Sequence, residues 1–164
     1  AERLAAILRT ERADVLLSYD RNGGYGHRDH VRVHEVGARA AEIAGTARVL
    51  EATIPRDTLT RAIRWVSRVY RFPPEFDPTS FERAYSARAE ITHRISVRGA
   101  VDAKRASMRA HASQATADGG DRTLAAFLRI PRPLFALVFG REWFRDPAAA
   151  PGGAVSTDIF EGLP

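Results

Sequence analysis

The segment Val15-Leu-Leu-Ser-Tyr-Asp-Arg-Asn-Gly-Gly-Tyr-Gly-His-Arg-Asp-His30 predicts a strand, a glycine-rich turn and the beginning of a helix. Its first five residues are the short apolar run of a buried strand. Asp20 closes the strand, and Gly23, Gly24 and Gly26 let the backbone adopt positive φ angles and approach a ligand closely. Open α/β sheets present ligands at the carboxyl ends of their strands. We therefore expect the functional site in this segment.

Two histidines lie in the first turn of the predicted helix. His27 and His30 are three residues apart, so their side chains share one helix face. One imidazole could bind a metal there while the other contacts the bound substrate. A His-x-x-His pair alone is a weak indication of a metal site, and a histidine that makes ordinary backbone hydrogen bonds at the helix start is the alternative. His34, one turn later, is expected to pack or to support the site.

The rest of the sequence alternates helical and extended patterns. Such alternation predicts an α/β fold in which helices cover a parallel sheet. The predicted helices cover about 2–12, 28–44, 58–70 and 102–114, and the predicted strands cover 15–19, 49–54 and 91–97.

Shorter signals refine this prediction. Gly37, within the second helix, would permit close packing on the sheet, and Asp57 is placed to cap the third helix. The proline-rich stretch 72–78 predicts a surface loop. Residues 124–139 are mostly apolar but are interrupted by prolines, which favours two short helical pieces.

The chain is long enough for one domain or part of one. We assign residues 1–145 to a portion of a single α/β domain and residues 146–164 to a Pro-, Gly- and Ala-rich tail. No apolar run is long enough to cross a bilayer. Without cysteine, a metal would have to be held by histidine and carboxylate, and a reducing cytoplasm fits this composition.

A basic chain raises the question of a nucleic-acid partner. The net charge is +5 and the isoelectric point about 10.4, which would suit a nucleic-acid surface. The arginines are spread along the sequence, however, and few aromatic residues interleave with them. We therefore expect no nucleic acid as a partner.

Two stretches resemble a known family. Gly23-Gly-Tyr-Gly-His-Arg-Asp-His30, after a strand ending in Tyr19-Asp20, resembles a motif of the PIG-L/LmbE-like zinc-dependent N-acetylglucosamine deacetylases, which include mycothiol-type deacetylases. Lys104-Arg-Ala-Ser-Met-Arg-Ala-His-Ala-Ser-Gln114 resembles the family's later helix, and the resemblance covers most of residues 1–115. The family's first motif, Ala-His-Pro-Asp-Asp, is absent, and Arg28 stands where the family commonly has Pro.

The resemblance implies a three-layer, Rossmann-like sheet covered by helices. It also implies a zinc-dependent hydrolase in which metal-bound water removes an acyl group from an N-acylated glucosamine-type small molecule. In the family, the absent motif supplies two zinc ligands and the general base. We therefore interpret the chain as the C-terminal portion of a deacetylase whose N-terminal half is missing, which leaves open the activity of this fragment alone.

The resemblance also implies roles for individual residues. His30 would be the zinc ligand, and His27 would stabilise the oxyanion and pass a proton to the leaving amine. Asp29 would orient His27 and favour its protonated form. A carboxylate that merely stabilises the helix start is the alternative for Asp29.

The glycine loop would supply the substrate contacts. These are assigned to Tyr25, Gly24 and Gly26, although packing across the turn is equally consistent for Tyr25. Asp20 is expected to hold the loop through backbone amides, and His111 is expected to make a hydrogen bond at a helix end.

A non-catalytic function remains as the alternative. The chain offers one convincing zinc ligand, so it could be a sugar- or nucleotide-binding α/β module that has lost the metal site. A nucleic-acid-binding protein is the third class, and it would show a steep salt dependence of affinity.

Overall fold

The computed structural model describes residues 1–69, 71, 77–111 and 127–163. Within these ranges, helices and strands alternate along the first half of the chain, as the sequence predicts. The helices are α1 (Glu2–Thr10), α2 (Arg28–Ala44), α3 (Arg56–Val66), α4 (Val101–Ala110) and α5 (Arg132–Phe139), and the strands are β1 (Val15–Tyr19), β2 (Arg48–Thr53), β3 (His93–Ser96) and β4 (Arg141–Arg145).

The four strands form one mixed sheet in the order β1-β2-β4-β3. β1 is parallel to β2, with Tyr19 opposite Ala52, whereas β4 is antiparallel to β2, with Phe144 opposite Ala52. The α/β class is confirmed, but the prediction of a wholly parallel sheet is wrong. β4 is not among the predicted strands, because it is only five residues long and directly follows the apolar pattern of a helix.

Helices α1 and α2 bury their small apolar residues against β1. Ala5 and Leu8 of α1 and Ala40 of α2 form a buried cluster, onto which Leu16 of β1 packs. α2 ends where the sequence predicts, because Gly45 adopts a left-handed conformation with a φ of 74°. Burial on this one face fixes α2 over β1, so the start of the helix lies at the carboxyl end of the strand.

Gly37 allows the close approach of α2 to β1. A Cβ atom at this position would lie 2.8 Å from Ser18 Oγ and 3.4 Å from Ser18 Cβ. The first distance is shorter than real Cβ contacts allow. The predicted role of Gly37 is therefore confirmed.

The predicted cap of α3 is wrong. The helix begins at Arg56 with Pro55 in the capping position, and Asp57 lies in its first turn. The Asp57 carboxylate instead accepts a 2.6 Å hydrogen bond from the Arg88 backbone amide, which holds the pKa of this carboxyl below its usual range. A carboxylate one residue inside the helix is thus used to hold a distant loop.

Parts of five predictions lie outside the described residues. They are residue 70 of the predicted third helix, residues 72–76 of the proline-rich loop, residues 112–114 of the predicted fourth helix, residues 124–126 of the apolar segment, and residue 164 of the tail. No helix within the described parts of the chain is long and apolar enough to span a bilayer.

The chain divides into two units, Ala1–Arg94 with Trp143–Pro164, and Ile95–Glu142. In the second unit, α4 is held by its own side chains. Arg105 donates to the carbonyls of Leu128 and Ile130 at 2.8 Å, and its guanidinium lies 5.0 Å above the Phe135 ring.

The described part of the tail, 146–163, contains no helix or strand but is hydrogen-bonded to the rest of the first unit. The Ser156 amide donates to the Thr92 carbonyl at 2.8 Å. Arg48, at the start of β2, donates to the carbonyls of Ile159 and Glu161 at 2.9 and 2.8 Å. The guanidinium of Arg48 therefore joins two tail residues to β2, in addition to the backbone hydrogen bond of Ser156.

We expect Gly37→Ala to lower the free energy of unfolding by about 1 kcal/mol. Overpacking costs about 1–3 kcal/mol, which exceeds the roughly 1 kcal/mol that alanine gains over glycine in a helix. Ser18→Ala removes the clashing oxygen and leaves Cβ at 3.4 Å, so the double variant should recover most of the loss. Urea denaturation of the two single variants and the double variant measures this coupling, and additive effects would contradict it.

The lowered pKa of His93 should make the free energy of unfolding depend on pH. His93 is buried, and burial together with the positive charge of Arg48 lowers its pKa from 6.5. As the pH falls below 6.5, the unfolded chain takes up the proton first, so the free energy of unfolding decreases until the pH passes the folded-state pKa. Denaturation at several pH values should show a smaller decrease in His93→Gln. His111→Gln, at the exposed end of α4, is the control and should behave like the wild type.

Candidate active site

The candidate site lies where the parallel strands β1 and β2 end. The loop from Asp20 to Gly26 leaves β1 here and leads into α2, whose N-cap is His27. Because the two strands are parallel, their carboxyl ends share one edge of the sheet. The predicted position of the site is therefore where the loop, the helix start and the end of β2 meet.

Asp20 holds this loop in place through hydrogen bonds to its carboxylate. Its side chain is fully buried, and Oδ1 accepts hydrogen bonds from the amides of Asn22 and Gly24 at 3.1 and 2.9 Å. Oδ2 accepts one from the Thr53 hydroxyl, at the end of β2. Thr53 Oγ1 in turn accepts from the Ser86 amide at 2.9 Å. The structural role predicted for Asp20 is confirmed, and it extends to β2.

The glycines of the loop have the predicted conformation. Gly23, Gly24 and Gly26 have φ angles of 65°, 65° and 95°. Gly23 is also packed against the helix start, because a Cβ atom there would lie 2.6 Å from the His27 carbonyl oxygen and 2.8 Å from a methyl group of Val31. Only glycine lets the loop turn this tightly onto α2.

The two glycines assigned to substrate binding differ in their surroundings. Gly24 is buried, its amide donates to Asp20, and its carbonyl accepts from the Tyr85 amide at 2.8 Å. Gly26 is exposed. Of the two, Gly26 is therefore the more accessible to a ligand, and its amide donates to the Gly23 carbonyl at 3.3 Å.

Four rings gather at the helix start. The imidazole centroids of His27 and His30 are 4.8 Å apart, and Tyr25 meets them edge-on at 6.0 and 5.4 Å. Tyr19 stacks face to face on His30. The structure thus brings together His27, His30 and Tyr25, three of the residues assigned to the site from the sequence, and adds Tyr19, which was not among them.

His30 has a defined tautomer. Its Nδ1–H donates to the Gly23 carbonyl oxygen at 3.3 Å, since a carbonyl can only accept. The lone pair of the neutral ring is therefore on Nε2. Histidines that bind metals commonly donate their other ring N–H to such a partner, so the geometry suits a ligand.

His27 is oriented by Asp29, but through the backbone. The Asp29 amide donates to His27 Nδ1 at 3.2 Å, which makes the imidazole the N-cap of α2. The Asp29 carboxylate lies 3.9 Å from Nδ1, and its side chain is 89% exposed. When neutral, His27 must therefore carry its proton on Nε2.

His34 contacts the backbone of Tyr19 and the buried Glu51, which agrees with the packing or supporting role expected from the sequence. Its Nδ1 lies 3.3 Å from both the Tyr19 carbonyl oxygen and Glu51 Oε1. Glu51 is buried on β2, and its Oε2 accepts from Arg145 of β4 at 2.6 Å. Sequence reasoning missed Glu51 and Arg145, although a carboxylate within an otherwise apolar strand is a signal that could have indicated a buried ion pair.

An open groove of about 790 Å³ runs along the helix start. His27 and Asp29 line it together with Arg28, the residue that departs from the family pattern and is exposed. A ligand in this groove would contact His27. The remaining lining residues are Gly26, Val31, Arg32 and Glu35.

The described residues do not complete a metal site. Within residues 1–69, 71, 77–111 and 127–163, no three His, Cys, Asp or Glu side chains are arranged to hold a metal ion. His111 of the second motif contacts the Ser107 carbonyl at 2.9 Å, as expected for a helix end. Residues 112–114 of that motif lie outside the described residues.

Curated relatives match almost the whole chain, whereas no protein-family model matches it. The chain is 34% identical over 175 residues to a Rhodococcus opacus protein, which covers 98% of this chain and 58% of the relative. A Saccharomonospora viridis protein is 32% identical over 166 residues, with 99% and 58% covered. An Acidothermus cellulolyticus protein is 31% identical over 173 residues, with 99% and 56% covered.

All three relatives bear the name 1D-myo-inositol 2-acetamido-2-deoxy-alpha-D-glucopyranoside deacetylase. This chain spans somewhat less than three fifths of their length. The matches extend over residues that include both motifs, which confirms the resemblance. The chain therefore belongs to the PIG-L/LmbE-like family of these deacetylases.

Proposed function

We propose that this chain carries the substrate-facing part of a zinc-dependent N-deacetylase that acts on an N-acylated glucosamine-type small molecule. The relatives are named as deacetylases of an acetamido-glucopyranoside of inositol, which supports this substrate class. The observation that carries the proposal is the pair of imidazoles at the start of α2. In both rings Nδ1 is hydrogen-bonded to the backbone, so Nε2 is the ring nitrogen that can bind a metal or contact the substrate.

His30 is the residue of this chain that would hold the zinc ion. The Gly23 carbonyl fixes its tautomer with the lone pair on Nε2. Catalytic zinc sites use three protein ligands, so the remaining two, with the general base, come from outside the described residues. The proposal assigns them to the His-Pro-Asp-Asp motif of the family. Zinc bound there would supply Lewis-acid activation for amide hydrolysis.

His27 acts on the substrate. With Nδ1 accepting from the Asp29 amide, the ring presents Nε2–H as a hydrogen-bond donor. Negative charge develops on the acyl oxygen during hydrolysis, and a donor directed at that oxygen stabilises it. The imidazole, when protonated, then passes a proton to the leaving amine nitrogen.

Tyr25 contributes from the loop. Its side chain is 51% exposed and meets both imidazole rings edge-on. Its hydroxyl donates a second hydrogen bond to the same acyl oxygen, while exposed Gly26 lets the substrate approach the backbone.

A larger sheet is part of the proposal. β1 lies at one edge of the four-stranded sheet, and the chain spans about 58% of its relatives. We propose that the complete protein extends this sheet beyond β1 into the three-layer, Rossmann-like arrangement.

A non-catalytic sugar- or nucleotide-binding module that has lost the metal site is the second candidate, because His30 is the one convincing zinc ligand among the described residues. Calorimetry separates the two proposals. A binding module retains its affinity for the sugar in the presence of a chelator, whereas the enzyme loses its activity.

The two histidines should respond differently to substitution. In the complete protein, His30→Ala should lose bound zinc, because a ligand is removed. His27→Ala should keep zinc and lose roughly 10²–10⁴-fold in kcat, the typical contribution of general acid–base catalysis. Metal analysis and the release of primary amine measure the two effects. His34→Gln is the matched control on the same helix and should keep its zinc, while full metal content in His30→Ala would overturn the assignment.

Tyr25→Phe tests the second donor. Removal of one oxyanion donor typically lowers kcat by about 10²-fold, and we expect a loss of that order with KM little changed, because the bond strengthens as charge develops. Steady-state kinetics at saturating zinc measures both constants. An unchanged kcat would assign Tyr25 to packing across the turn.

A further inference from the structure

Tyr19 and His30 form the closest ring pair of the site. Their centroids are 4.0 Å apart, and the two planes are inclined by only 5°. Tyr19 ends β1 and remains 38% exposed. Burial alone therefore does not explain why its ring covers an imidazole rather than packing into the core.

The stack supplies a constraint that the hydrogen bond of His30 does not. A bond from Nδ1–H to the Gly23 carbonyl fixes the direction of one atom, but the ring can still turn about the axis of that bond. A flat partner against its face prevents this rotation. The two contacts together determine where the lone pair of Nε2 points.

The ring of Tyr19 is carried by a rigid element. Its backbone is paired with β2, opposite Ala52. Its carbonyl oxygen accepts from His34 Nδ1 at 3.3 Å, and the same nitrogen lies 3.3 Å from Glu51 Oε1. Glu51 is buried and bound by Arg145. The stacking surface is thus anchored to the sheet, whereas the Gly23 carbonyl belongs to the loop.

We propose that Tyr19 is a positioning residue that holds the imidazole plane of His30 and so aims Nε2 at the metal. The proposal rests on the proposed function, in which His30 is the zinc ligand. Tyr19 contacts neither the metal nor the substrate and acts through His30 alone. Its aromatic face is the required feature, and its hydroxyl is not.

Nuclear magnetic resonance tests the stack without metal or substrate. Protons above an aromatic face are shifted upfield, so in the complete wild-type protein the ring protons of His30 should be upfield and should show cross-relaxation with the Tyr19 ring. Tyr19→Phe should keep the shift. Tyr19→Ile keeps a strand-forming side chain, but the upfield shift of the His30 ring protons should disappear. His30 resonances at ordinary positions in the wild type would overturn the proposal, even if the Ile variant failed to fold.

Zinc affinity then tests the consequence. Residues that orient a metal ligand typically change metal affinity by 10–100-fold. In competition with a chelator, Tyr19→Ile should therefore bind Zn²⁺ about tenfold more weakly than the wild type. Tyr19→Phe should bind Zn²⁺ as tightly as the wild type. Backbone amide spectra confirm that each variant is folded. Unchanged affinity in folded Tyr19→Ile would overturn the proposal. Failure of the wild type to bind zinc would instead contradict the proposed function.

Discussion

The buried carboxylate of Asp20 holds the loop on which the candidate site depends. It accepts from two amides of the glycine loop and from the Thr53 hydroxyl, so it joins the ends of β1 and β2. Burying a carboxylate away from solvent is costly unless its oxygens accept hydrogen bonds. The two amides and the Thr53 hydroxyl supply these hydrogen bonds to Asp20. The loop in turn supplies the Gly23 carbonyl that sets the tautomer of His30. A chain of contacts therefore runs from the interior of the sheet to the atom proposed to bind zinc.

Local signals predicted the parts of the fold that local interactions determine. β1 and α2 have the predicted bounds, and Gly45 ends the helix in the left-handed conformation that glycine adopts without a steric penalty. β4 was missed because its pairing with β2 is a contact between segments far apart in sequence. Asp57 resembles a cap by residue type, yet its carboxylate binds the Arg88 amide, a partner that no local pattern reveals.

In the candidate site, too, local sequence predicts which residues lie together but not which hydrogen bonds they make. The histidines lie together because their spacing and the helix start dictate it, whereas their hydrogen bonds were not predictable in detail. The amides at a helix start require acceptors, and His27 supplies one through Nδ1 to the Asp29 amide, whereas the sequence predicts that Asp29 orients His27 through its carboxylate charge. The result is still an oriented imidazole. Glu51 and Arg145 were missed for the reason that β4 was missed, since they pair across two strands.

The position of β4 between β2 and β3 has a consequence for biosynthesis. When β2 leaves the ribosome it can pair at once with β1, but its other edge remains unpaired until β4 is made, after β3, α4 and α5. An unpaired edge invites pairing with other chains. Until then this edge of β2 is open to pairing with other chains, and it closes when Phe144 and Trp143 pair with Ala52 and Thr53.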